Sequence, residues 1–297
     1  MKERNEPESS KRVNEINQGE RNVAAFFDLD GTLLALPSLE RRLFISLTYR
    51  RAIPAKNYFL WLREALRLMP RGIAAILHAN KMYLSGVNIL NESDEGDSDV
   101  SSWHKDGHQA EGQASAPPRR NPRLPVLSFF AQAIERVTWH AKQKHEIVLV
   151  SGTLEPLARR AARALETKLT ERGITLTIRV LATRLEERNG RWTGRILGEA
   201  MFGEAKVRSA KQLAGELRLN LERCYAYGDS LNDQWLLAAV GKPAAVNPSN
   251  GLANFARTHG WPVLNWAGKE QPAHRRGGHT EFTKKKKPRG AFAVWTW

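Results

Sequence analysis

From residue 126 onward, short apolar runs alternate with helical segments, and this alternation restricts the architecture more than any other feature of the chain. Val126–Lys144 has helical spacing, and Glu146–Val150 (EIVLV) reads as a strand that ends at Ser151-Gly152-Thr153. Glu155–Arg172 follows as a helix with Pro156 near its start, where the missing N–H costs nothing. Ile174–Leu185 (ITLTIRVLATRL) reads as strand, and Asn189-Gly190 as a hairpin turn into Arg191–Ile196. Ala205–Arg218 reads as helix, Cys224–Tyr227 as strand, and a further helix begins at Gln234. Pro243–Val246 and Pro262–Leu264 are short strand candidates. A succession of this kind folds as an α/β domain, with a mainly parallel sheet and helices on both faces.

Upstream the pattern is different. Leu39–Tyr49, Tyr58–Leu68 and Ile73–Tyr83 carry apolar residues at three- and four-residue spacing, separated by Pro54 and by Pro70-Arg71-Gly72. Arg and Lys crowd their other faces, which gives a small helical module able to attract an anionic substrate or simply to be solvated. Residues 1–21 and 91–122 are poor in large apolar side chains, so they cannot bury enough surface to offset chain entropy and are expected to be disordered. The net charge of +15 invites a polyanion-binding reading, but eight Lys/Arg and two Glu from Lys269 onward account for about six of those charges. That tail, with Lys284–Arg289 (KKKKPR), suits non-specific polyanion contact. A single cysteine, Cys224, excludes an internal disulfide and fits a reducing compartment. No apolar run approaches the length of a membrane span, so the expectation is a cytoplasmic chain of unspecified oligomeric state.

Three strand ends carry polar, turn-forming groups, and ligands of open α/β sheets bind at the carboxyl ends of strands. The first is the most informative. Ala24–Leu34 (AAFFDLDGTLL) drives an apolar strand into Asp28 and Asp30. An Asx turn accounts for one of them. Two neighbouring carboxylates repel when ionised, and a divalent cation removes that objection. Ser151 serves either as a helix N-cap or, with the N–H groups of Gly152 and Thr153, as a holder of a phosphate oxygen. Lys206 stands at a helix start in a chain with 46 basic residues and says little alone. In Gly228-Asp229-Ser230-Leu231-Asn232-Asp233, helix capping explains one aspartate and leaves the other unexplained.

Taken in order, Asp28-Leu29-Asp30-Gly31-Thr32, Ser151, Lys206 and Gly228–Asp233 resemble the four motifs of the haloacid dehalogenase superfamily of phosphohydrolases, over Val23 to Trp266. Ala182–Gly198, Tyr225–Asp233, Ala245–Ala256 and Gly260–Trp266 are similar to its phosphoserine-phosphatase-like branch, subfamily IB. The resemblance implies a Rossmann-like core over 22–37 and 126–266 and a helical type-1 cap over 38–125, interrupted at about 91–122. It leaves 1–21 and 267–297 as tails. It implies Asp28 as nucleophile and Asp30 as acid and base, with Ser151, Gly152 and Lys206 on the phosphate. Mg²⁺ would sit on the side chains of Asp28 and Asp229 and the backbone carbonyl of Asp30, while Thr32, Asn232 and Asp233 support the loops. The substrate implied is a small phosphorylated metabolite. Phosphoserine phosphatases carry a glutamate about nine residues after the nucleophile; here Pro37 stands there and Glu40 follows three residues later. Chlorine-displacing members lack the second aspartate, so Asp30 favours phosphate chemistry. A phosphotransferase on the same intermediate and a polyanion-binding protein using the basic tail are the rival readings.

Overall fold

The computed structural model describes residues 23–88 and 127–267; the expected N-terminal tail, acidic insertion and most of the basic tail lie outside the described residues. Within them, Ala24–Phe27 (β1), Glu146–Leu154 (β2), Arg179–Thr183 (β3), Tyr225–Gly228 (β6), Lys242–Val246 (β7) and Val263–Leu264 (β8) form one sheet in the order β3-β2-β1-β6-β7-β8. Every pairing in it is parallel. Leu185–Arg188 (β4) and Arg191–Ile196 (β5) form a separate antiparallel hairpin through Asn189 and Gly190, both at positive φ.

Burial explains why the strands read as continuous apolar runs. Side chains alternate across a strand, so Ala24, Phe26, Val148, Val150 and Ala226 enter one core. Ala25, Phe27, Ile147, Leu149 and Tyr227 enter another on the opposite face. Helices cover both faces, which is the condition for an all-parallel sheet. They are Leu39–Tyr49 (α1), Lys56–Leu68 (α2), Ile73–Ala79 (α3), Ala131–Lys142 (α4), Glu155–Thr170 (α5), Glu204–Glu216 (α6), Gln234–Ala238 (α7) and Asn250–Thr258 (α8). None is long and apolar enough to cross a membrane among the described residues. The chain runs outward from β1 through β2 to β3, then restarts beside β1 at β6 and runs the other way. This reversal opens a crevice at the carboxyl ends of β1 and β6, the usual ligand position in such sheets.

Two strand expectations change. Ile174–Ile178 precedes β3 and is not strand, because Glu166 Oε1 accepts the Ile178 N–H (2.6 Å) and replaces a ladder bond. Strand β2 continues through Ser151-Gly152-Thr153 to Leu154, so Leu154, not Ser151, precedes the first turn of α5.

One face of the sheet carries a buried imidazole, His140, against a half-buried one, His145. His140 Nε2 lies 2.9 Å from Tyr227 Oη, and its Nδ1 lies 2.8 Å from Nδ1 of His145. A neutral imidazole offers one donor and one acceptor, so an uncharged His140 can accept from the Tyr227 hydroxyl at Nε2 while donating from Nδ1 to His145, or the reverse. Burial, with the neighbouring charges of His145, Arg136 and Lys242, lowers His140 to about 2. The unfolded chain takes up that proton near pH 6.5, and the native state refuses it until about pH 2. Stability is therefore full above pH 6.5 and falls as the pH drops, by up to about 1.4 kcal/mol per pH unit for this group. Between pH 7 and pH 5, urea unfolding should show His140→Gln losing about 2 kcal/mol less than the wild type. Equal losses would mean that His140 is not held neutral.

Candidate active site

Strand β1 ends at Phe27, and the next N–H, that of Asp28, donates to the Tyr227 carbonyl (2.9 Å), which carries the sheet register one residue into the loop. The Asp28 side chain is thereby held at the crevice and is only 6% exposed. Gly31, at φ +92°, turns the chain; a Cβ there would fall 2.3 Å from Asp229 Oδ2. The first loop and the β6 loop therefore touch through a position that only glycine fits. Asn247, just after the end of β7, secures the same loop: its Nδ2 donates to the Gly31 carbonyl (3.1 Å), and its Oδ1 accepts the Trp266 and Ala267 N–H groups.

Lys206 ties the constellation together. It lies in the first turn of α6, is 4% exposed, and its Nζ donates to Asp28 Oδ1 (2.5 Å) and Asp233 Oδ1 (2.6 Å). The other oxygen of Asp233 accepts from the Ser230 N–H (3.0 Å) and Oγ (2.8 Å), a capping box that locks the turn Leu231–Asp233. At Gly228 a Cβ would lie 2.5 Å from that of Asp233, so the loop can close tightly only over glycine. Carboxylate oxygens of Asp28, Asp229 and Asp233 all come within 4.8 Å of one another. One ammonium faces two buried carboxylates and a half-buried one. Burial pushes Asp28 well above the usual carboxylate range, with Lys206 opposing and Asp233 and Asp229 adding to the rise. Burial and then Asp233 raise Asp229 to about 7.

Asp30 occupies a different environment. Its Oδ1 accepts the Leu39 N–H (2.8 Å) at the start of α1, which joins the helical module to the site loop. Burial raises it to about 6, with the Leu39 bond opposing and the charge of Glu40 adding. Its carboxylate is not part of the three-aspartate cluster.

The remaining expected residues fall on the same rim. Ser151 is 2% exposed, and its Oγ accepts the Thr153 N–H (3.2 Å), the role found for it in place of helix capping. Thr183 Oγ1 donates to the Gly152 carbonyl (2.8 Å) and accepts the Met201 N–H (3.1 Å), so it braces the end of β2 against the segment leading to Lys206. Thr32 Oγ1 and Thr153 Oγ1 are buried without a hydrogen-bond partner among the described residues. Asn232 is half-buried and forms no hydrogen bond to the carboxylates.

Sequence reasoning missed the neighbours of Glu40. Its Oε1 accepts from Lys81 Nζ (2.5 Å) and Tyr83 Oη (2.7 Å), and Lys81 is almost wholly buried. His78 stacks on Phe202, whose ring centroid is 4.7 Å away, just ahead of Lys206. Lys81 and Tyr83 lie 41 and 43 residues beyond Glu40, and nothing local in the sequence announces such a pairing.

Comparisons with known proteins point the same way. The family model of haloacid dehalogenase-like hydrolases matches residues 25–238. A probable phosphatase of Mycobacterium tuberculosis is 36% identical over 138 residues, which is 46% of this chain and 44% of that protein. The chain thus spans less than half the length of that relative. A phosphoserine phosphatase of the same species is 29% identical over 245 residues, 82% of this chain and 71% of that protein. Among solved structures, a protein of unknown function from Bordetella pertussis Tohama I superposes with a TM-score of 0.55 at 29% identity, covering 83% of this chain and 99% of the other.

Proposed function

Since the chain belongs to the haloacid dehalogenase-like hydrolases, we propose that it hydrolyses a small organic phosphomonoester through phosphate carried on Asp28, with Mg²⁺ as cofactor. The observation that carries this reading is the buried Lys206 ammonium bound to Asp28 and Asp233 at the carboxyl ends of β1 and β6. A carboxylate held by one cation, at a rim with two orphaned hydroxyls, is suited to receive a phosphoryl group.

The chemistry then divides between two aspartates. An Asp28 oxygen attacks phosphorus, the phosphorus–oxygen bond to the leaving alcohol breaks, and Asp30 gives its proton to that oxygen. Water next attacks the phosphorus of the aspartyl-phosphate; Asp30 takes its proton, the bond to Asp28 breaks, and inorganic phosphate leaves. A carboxyl near 6 is suited to both transfers, because it exchanges protons readily at neutral pH. Lys206 and Ser151, at the end of β2, hold the non-bridging oxygens.

The donor set fits Mg²⁺. Asp28 and Asp229 offer hard oxygens in a place where burial and mutual repulsion disfavour two bare negative charges. Asp233 is committed to Lys206 and Ser230; by the family resemblance, the Asp30 backbone carbonyl would be the third protein ligand. When bound, the ion neutralises charge on the transferring group.

On the leaving-group side, Glu40 is paired with a buried lysine. It is therefore not the lone acid that would select a substrate ammonium, and the reading stops at a small phosphomonoester. The purified chain should release phosphate from para-nitrophenyl phosphate only with Mg²⁺, lose that rate in EDTA, and regain it with excess Mg²⁺. A rate indifferent to EDTA would remove the metal from the proposal. Failure to release phosphate from any member of a phosphomonoester panel would remove the hydrolase.

A further inference from the structure

Helix α2 is apolar on two opposite faces. One face is buried: Asn57, Ala65 and Leu68 turn inward. The opposite face should be polar in a helix that ends at solvent. Instead Phe59, Leu62, Leu66 and Met69, spaced three, four and three residues apart, are 67%, 53%, 58% and 58% exposed. Ile73 and Leu77, one turn apart on α3, continue the exposed apolar surface at 75% and 65%. An apolar stripe of this length on a water-facing surface marks a covered site.

The charge beside the stripe selects the cover. Lys56, Arg63 and Arg67 recur at spacings of seven and four along one side of α2, and Arg71 follows in the next turn. Across residues 38–88 there are nine Lys/Arg against two Glu, a net of +7. Two copies of this chain meeting through the stripe would bring these like charges together. An anionic bilayer answers both features at once: acyl chains accept the apolar row and lipid headgroups face the cations.

We propose that the α2–α3 face is an interfacial membrane-binding surface that docks on anionic lipid, with the helix axis in the plane of the interface. At 13 residues α2 is too short to span a bilayer and long enough to lie on one. The inference does not depend on the phosphatase reading.

Vesicle sedimentation of the full chain tests it. Binding is expected to vesicles of phosphatidylcholine containing about one-third phosphatidylglycerol and not to phosphatidylcholine alone, and to weaken as salt rises from about 0.1 to about 0.5 M. The double variant Leu62→Gln/Leu66→Gln should bind about tenfold more weakly, with turnover of a soluble aryl phosphate unchanged. Arg63→Gln/Arg71→Gln should also lose about tenfold, and it decides the matter if the first variant fails to fold. Unchanged binding of the leucine variant would overturn the proposal, because the basic C-terminal run is intact in it and would then be the contact. Absence of binding to the anionic vesicles would overturn it too. A concentration-dependent dimer that the leucine variant abolishes would assign the face to a second copy instead.

Discussion

Asp28→Asn should lose at least about 10⁴-fold in turnover of an aryl phosphate while melting no earlier than the wild type. The two halves of this expectation come from the same geometry. An amide has no nucleophilic oxygen anion, so the step that forms the aspartyl-phosphate has no attacking group. The amide oxygen can still accept from Lys206 Nζ, and the fold keeps that contact. The substitution also removes one of three carboxylates that lie within 4.8 Å of one another, which relieves repulsion. Turnover and thermal unfolding should be measured on the same preparation. Acid quenching of the wild type during turnover should leave phosphate covalently on the protein, and quenching of the variant should leave none. Retention of more than about one-hundredth of the wild-type rate would place the nucleophile elsewhere.

The candidate site was legible in the sequence because its signals are local. Asp28 and Asp30 follow a buried strand by one and three residues, and Asp229 and Asp233 bracket a turn. Each group violates an apolar or capping pattern at its own position. The parallel sheet was legible for the related reason that strands buried on both faces must be apolar throughout. What failed was set by contacts distant in sequence. Ser151 looks like a helix cap until the strand is seen to continue to Leu154, held by pairing with β3 at Ser151↔Ala182. Ile174–Ile178 alternates like a strand, yet Glu166, eight residues before that segment, takes a backbone donor that a ladder would have used. Asn247 and Thr183 fasten site loops through single hydrogen bonds across the fold, and no periodicity encodes that. The exposed stripe on α2 was visible only as helical spacing, since a sequence cannot say which of two apolar faces points outward.

Lys206→Met should destabilise the fold as well as the activity, by about 3–5 kcal/mol at pH 8, or roughly 10 °C in the unfolding temperature. Methionine replaces the aliphatic stem without the ammonium, so packing is largely retained. Asp28 and Asp233, both buried, lose their shared cation. The pH dependence separates charge from packing. Uncompensated buried carboxylates have folded pKa values above their unfolded ones, so the native state binds protons more tightly. Their penalty is therefore complete above the folded pKa and shrinks as the pH falls towards the unfolded value near 4. Asp229, already at about 7 with Lys206 present, places the start of that recovery near neutral pH. The wild type moves the other way below pH 6.5, because His140 resists the proton that the unfolded chain accepts. The deficit of the variant relative to the wild type should accordingly narrow between pH 8 and pH 5. His140 is common to both proteins and cancels from the comparison. A deficit that stays constant over that range would assign the loss to packing around residue 206, and the view of Lys206 as counter-charge to the site carboxylates would fall.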